Sequence, residues 1–148
     1  MRRAALSPIA LDTGPWILWI EQNQAFLPVV EPIFRAIEEG RATAVTSVMT
    51  VLEVLTGAKR REDDVLMRRY ESLFTESAGV VVLDIDMDIA RRAAELRAKY
   101  GVRTADAIHL ATALAAGASA FVTTDRRLAR VKEIEVRVLK ASSKVTKR

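Results

Sequence analysis

Asp12, Glu53, Asp106 and Asp125 are the residues of this sequence best placed to do chemistry. Asp12 ends the apolar run Ile9-Ala10-Leu11, and Asp125 follows Phe121-Val122-Thr123-Thr124. Runs of this type are expected to be parallel strands, and ligands of an open α/β sheet bind outside the carboxyl ends of its strands, so both acids belong to one edge. Glu53 lies among apolar neighbours in a helical segment that starts at Val48, and Asp106 sits in the first turn of an apolar helix. Each alone could be a cap, a turn residue or half of a salt bridge. Together they need compensation: carboxylates within about 4 Å repel by roughly 1 kcal/mol per pair in water, and by about 4 kcal/mol at an effective dielectric near 20. A divalent ion supplies it. An all-oxygen site suits Mg²⁺ or Mn²⁺, which can activate water and stabilise the charge that develops when a phosphodiester is attacked.

The elements that would position these acids alternate along the chain. Short β-branched runs fall at residues 9–12, 42–46, 80–85, 120–124 and 135–139, separated by segments of helical period. This pattern predicts a parallel sheet of about five strands between helical layers. Ile89, Ala93, Leu96 and Tyr100 mark one helical face, with Arg91–Glu95 and Glu95–Lys99 as charge pairs four apart and Gly101 as the stop. Thr104 is the expected N-cap of a nearly all-apolar helix that Gly117 closes. Leu66, Tyr70, Leu73 and Phe74 form another stripe, and Val29, Ile33, Ala36 and Ile37 one more before Gly40.

With 148 residues, half of them hydrophobic, the chain can build a single core. The expectation is one domain over residues 1–140, followed by a basic tail, 141–148, that frays. Absence of cysteine excludes disulfides, thiolate nucleophiles and thiolate metal sites. No apolar run approaches the roughly 18 residues of a membrane span, and no signal-peptide h-region follows Met1-Arg2-Arg3, so a soluble cytoplasmic protein is expected. The net charge of +4 and pI near 9.8 favour an anionic partner. Lys59, Arg60, Arg126 and Arg127 are the candidates for steering one toward the acids.

The sequences Ile-Ala-Leu-Asp-Thr around Asp12, Thr-Ala-Asp-Ala-Ile-His-Leu-Ala-Thr-Ala around Asp106 and Val-Thr-Thr-Asp-Arg-Arg-Leu around Asp125, with Glu53 after the second strand, resemble the four motifs of the PIN-domain nucleases. Their order and spacing are similar in particular to the VapC-like toxins of toxin–antitoxin pairs, from about Ile9 to Leu139. The resemblance implies a three-layer α/β/α sandwich, Mg²⁺- or Mn²⁺-dependent endoribonuclease activity on structured or messenger RNA, a homodimer, and inhibition by a small antitoxin. It also implies Asp12 and Asp106 as principal metal ligands, with Glu53 and Asp125 completing the pocket and orienting water. The chain departs from the family pattern at Gly14, often a small polar residue, and at Thr124, often Asn.

Other signals have plainer readings. His109, three residues after Asp106, could be a ligand or base, but a histidine on an apolar helix is more often a packed residue with one hydrogen bond. Asp84, Asp86 and Asp88 mimic a calcium loop, yet Ile89 occupies the position that requires glycine, so helix capping explains them better. Trp16 and Trp19 read as core, or, through the resemblance, as part of a groove for an antitoxin helix. Two rival functions use the same residues. A receiver-like phospho-acceptor module could draw on Asp12, Asp84, Thr123 and Lys140, but leaves Glu53 and Asp106 without a role. A non-catalytic RNA-binding module would not need carboxylates that repel phosphate.

Overall fold

A computed structural model describes residues 7–142 of the chain. The extreme N-terminus and residues 143–148 of the basic tail fall outside the described residues. The five strands are β1 (Ile9–Leu11), β2 (Ala44–Ser47), β3 (Val80–Leu83), β4 (Ala120–Thr123) and β5 (Val136–Val138). They form one parallel sheet in the order β3-β2-β1-β4-β5. The chain winds outward from β1 through β2 to β3, then returns to β4 on the other side of β1. The winding therefore reverses between β1 and β4, which makes that gap the topological switch point where an open sheet leaves a crevice.

Alternation along the strands splits the core. Ala10, Val45 and Phe121 face α5 (Met87–Tyr100) and α6 (Thr104–Ala115), packing on Ile89, Leu96, Leu110 and Ala111. Leu11, Ala44 and Val122 face the opposite layer, made of α1 (Thr13–Ile20), α2 (Leu27–Glu38), α3 (Val48–Arg60) and α4 (Asp64–Glu76). The result is the three-layer α/β/α sandwich. Among the described residues no helix is long and apolar enough to cross a membrane.

Several local expectations are revised. The buried face of α2 is Val30, Phe34 and Ile37, one position round from the stripe suggested by Val29 and Ile33, because Phe34 packs between Trp16 and Trp19. Thr104 is the first residue of α6 and Arg103 its N-cap, with no side-chain cap bond. On α5 the ion pair within the helix is Arg92–Asp88, and Lys99 reaches Glu133 instead of Glu95. Gly101 does end α5 with φ +68°, the left-handed conformation. Asp86 caps α5 by accepting from Ile89 N at 2.9 Å, which accounts for the acidic run before it. Ser142 N donates to Ala25 O at 2.8 Å, so the chain is held to the body two residues beyond Lys140.

Candidate active site

Pairing of β1 with β4 sets the first two acids. The ladder runs from Ile9–Ala120 to Leu11–Val122 and is extended by Asp12 N donating to Val122 O at 2.9 Å. Asp12 thus leaves the sheet at the edge of the switch-point crevice and caps α1, its Oδ1 accepting from Thr13 N at 2.8 Å. Its Oδ2 accepts from the buried Thr123 hydroxyl at 2.7 Å. The same hydroxyl accepts from Asp125 N at 3.0 Å, so one threonine bridges the two acids. Asp125 in turn caps a short 3-10 helix (Arg126–Arg130) through Arg127 N. Asp106 occupies the first turn of α6. Three of the four acids therefore stand at helix N-termini, whose partial positive charge offsets part of their mutual repulsion.

Glu53 comes from the body of α3 and is held sideways. Its Oε1 accepts from Thr13 Oγ1 at 2.6 Å and lies 2.9 Å from His109 Nε2. Thr13 Oγ1 also lies 3.1 Å from Thr50 Oγ1, which accepts from Thr46 Oγ1 at 2.9 Å. His109 Nε2 is 3.8 Å from Asp12 Oδ1, so the imidazole stands between the first and second acids.

The electrostatics divide the acids. Burial, and then repulsion from Asp12, push the Asp106 carboxyl above the ordinary aspartate range; Asp125 adds to this and Arg103, 3.5 Å away, works against it. Glu53 is held below its ordinary range, first by the His109 hydrogen bond and also by that from Thr13, against the opposing effect of burial. Asp125 is held low by Arg127, whose guanidinium bonds both carboxylate oxygens at 3.0 and 2.8 Å.

The four acids are thus linked near the carboxyl edge through intervening side chains and through charge, not through direct mutual contact. Asp12 and Asp125 are joined by Thr123, Glu53 is tied to the Asp12 turn through Thr13, and Asp106 is coupled to Asp12 and Asp125 through charge. Among the described residues no three Asp, Glu or His side chains form a ready coordination group. The donor set nevertheless suits a hard cation. Mg²⁺ keeps several waters and needs only one or two direct carboxylates, and a cation would offset the burial and the Asp12 repulsion that together raise Asp106.

Two hollows adjoin the acids. One of about 400 Å³ runs from Glu53 past Gly57 to Arg60 and Arg61. A smaller one, about 60 Å³, is lined by Arg103, Asp106, Asp125, Arg127 and Arg130. A Cβ at Gly14 would come 3.1 Å from Thr124 Oγ1, so the two departures from the motif pattern face one another. The receiver-like pocket is not assembled: β2 separates β1 from β3, leaving the exposed Asp84 two strands away from Asp12.

The bridging roles of Thr13 and Thr123 have no signature in the sequence. Thr13 and Thr123 adjoin acids in the motifs, yet threonine near a strand end reads as an ordinary β-former. His109, a packed histidine by its sequence setting, contacts Glu53 and approaches Asp12.

A family model described as "PIN domain" matches residues 9–134. A search of curated proteins returns no significant match. Among solved structures, the chain is similar to VapBC2 from Rickettsia felis, bound to a DNA fragment from its promoter, with TM-score 0.72 and 14% identity over 89% of this chain and 98% of that one. It is similar also to DNA-bound VapBC from Salmonella typhimurium, with TM-score 0.67 and 21% identity over 90% and 98% of the two chains. A third is VapC20 from Mycobacterium tuberculosis, a sarcin-ricin loop cleaving toxin, with TM-score 0.63 and 18% identity over 76% and 86%. At these identities the likeness concerns the fold, whereas the family model spans most of the chain: this protein belongs to the PIN domain family.

Proposed function

We propose that this protein is a divalent-metal-dependent endoribonuclease and the toxin of a toxin–antitoxin pair. PIN domains are generally ribonucleases, and the observation that supports the finer reading is the Thr123 hydroxyl joining Asp12 to the Asp125 turn at the switch-point crevice, beside the first turn of α6 that carries Asp106. Asp12 and Asp106 would hold the ion, with Glu53 and Asp125 completing the acidic wall and orienting water. Mg²⁺ or Mn²⁺, when bound, supplies a more acidic water and positive charge for the scissile phosphate and the leaving 3′ oxygen. The chain's own part is to fix the carboxylates through Thr123, Thr13 and His109 and to seat the RNA backbone. Arg60 lines the hollow that opens from Glu53, where it can meet phosphates, whereas the neighbouring Arg61 is paired with Glu21 at 3.0 Å.

The toxin role, an antitoxin partner, a homodimer and a cytoplasmic setting belong to the same reading. The VapBC complexes among the similar structures support the toxin role and the antitoxin partner. The test is incubation of the purified protein with total RNA, with Mn²⁺ and with EDTA, and mapping of the cut ends. Discrete cuts that EDTA abolishes are expected. RNA binding without cleavage under any metal would favour the non-catalytic module instead.

A further inference from the structure

We propose that His109 is a positioning residue that fixes one oxygen of Glu53 and leaves the other free to face a cation. This inference rests on the reading of the acid cluster as a divalent-ion site.

His109 is the chain's one histidine and is 4% exposed. Its surroundings on α6 are apolar or small: Ala107, Leu110, Ala111, Thr112 and Ala113 are all buried beside it. Nε2 meets Glu53 Oε1 at 2.9 Å and lies 3.3 Å from Thr13 Oγ1, while Nδ1 is buried with no hydrogen-bond partner among the described residues. A buried nitrogen without a partner costs free energy, and leucine would fill much the same volume without that cost. What the imidazole adds is one directed donor. A ring hydrogen on Nε2 fits this geometry, because a bare Nε2 lone pair would face a carboxylate oxygen and Nδ1–H would meet no acceptor among the described residues.

The consequence for Glu53 is geometric. Oε1 is held between His109 and the Thr13 hydroxyl, whereas Oε2 makes no hydrogen bond among the described residues. A glutamate in the body of a helix has three rotatable side-chain bonds, and these two donors remove that freedom. His109 also stands three residues after Asp106, on an adjoining part of the α6 surface. One ring thereby couples Glu53 on α3 to the helix that carries Asp106. With its side chain 3% exposed and Nε2 engaged, His109 does not present a base to solvent water. It acts through Glu53.

The test uses the full chain with His109→Leu and His109→Gln. Gln can place its amide nitrogen near the imidazole Nε2 position; Leu cannot donate. Partners that orient carboxylate ligands are worth roughly 10- to 100-fold in metal affinity or activity. Calorimetric Mn²⁺ binding is therefore expected to weaken by about that factor in His109→Leu, with kcat on RNA falling and KM little changed, and to be largely restored in His109→Gln. Nitrogen NMR of the single imidazole is expected to show hydrogen on Nε2. Wild-type affinity and kcat in His109→Leu, equal impairment of the two variants, or hydrogen on Nδ1 alone would each overturn the proposal. Should His109→Leu not fold, His109→Asn, too short to reach Oε1, replaces it, and equal behaviour of Asn and Gln overturns the proposal in the same way. If wild-type protein binds no Mn²⁺ at all, the metal-site reading itself fails, which separates that failure from failure of the His109 role.

Discussion

The Thr123 hydroxyl donates to Asp12 Oδ2 at 2.7 Å, joining the end of β4 to the acid that ends β1. Thr123 is fully buried, so valine can replace it in shape but leaves Asp12 short of a donor. Hydrogen bonds to a charged group contribute about 1.5–3 kcal/mol. Thr123→Val is therefore expected to lose about that much in urea unfolding and to weaken Mn²⁺ binding, while Thr123→Ser retains the affinity. Unchanged Mn²⁺ affinity in Thr123→Val would show that the bridge does not orient Asp12.

Asp106 behaves in the opposite sense, because burial and its acidic neighbours raise its folded-state pKa. Ionising it costs folding free energy; the cost is absent below the ordinary aspartate range, grows as pH rises through the folded pKa, and is complete above it. In EDTA at neutral pH, Asp106→Asn should melt at a higher temperature than wild type, and the advantage should vanish by about pH 3. Glu53 has a depressed pKa, so its contribution is present above the ordinary glutamate range and is lost as pH falls through the folded value. Glu53→Gln should accordingly destabilise at neutral pH. Thermal melts of both variants across pH check the two signs.

The four basic residues that the sequence groups as RNA-steering do not act alike. Arg127 is engaged with Asp125, whereas Lys59, Arg60 and Arg126 make no ion pair among the described residues. Arg60→Ala and Arg126→Ala should weaken binding of single-stranded RNA and each reduce the salt slope by about 0.7. Arg127→Ala should let the Asp125 pKa rise toward its ordinary value and, the pair being exposed, change stability little. Anisotropy titrations in an Asp12→Asn background, over a range of salt, separate the two classes.

Trp16 and Trp19 also part company. Trp16 is fully buried, edge-on to Phe34 at 5.3 Å and to Phe74 at 5.0 Å. Its replacement by alanine should cost about 3–5 kcal/mol. Trp19 stacks on Phe34 and lines a hollow of about 430 Å³ with Leu73 and Val80. Trp19→Ala is expected to fold and to bind a cognate antitoxin more weakly; unchanged binding would remove Trp19 from that groove.

Much of this was legible in the residues. Each strand lies within two residues of where β-branched runs end, and Asp12 and Asp125 stand out because they directly follow such runs. Strand order was not legible, since the winding of β3 outside β2 depends on how helices cover the sheet. Partner choice on the surface was equally hidden: Lys99 takes Glu133, 34 residues away, because the fold brings it nearer than the helical spacing to Glu95 suggests. The α2 face turned by one position for the same reason, Phe34 being claimed by two tryptophans from α1. The threonine bridges escaped notice because their role exists only where β1, β4 and α3 converge.

We propose that Asp12 and Asp106, with Glu53 and Asp125 around them, hold a divalent ion. A crystal of the protein grown with Mn²⁺, measured at the manganese edge, tests it most directly. One or two anomalous peaks are expected within about 2.0–2.3 Å of Asp12 and Asp106 oxygens, typical of a hard divalent cation. Saturating Mn²⁺ with no peak at these carboxylates, or a peak only elsewhere on the molecule, would contradict it.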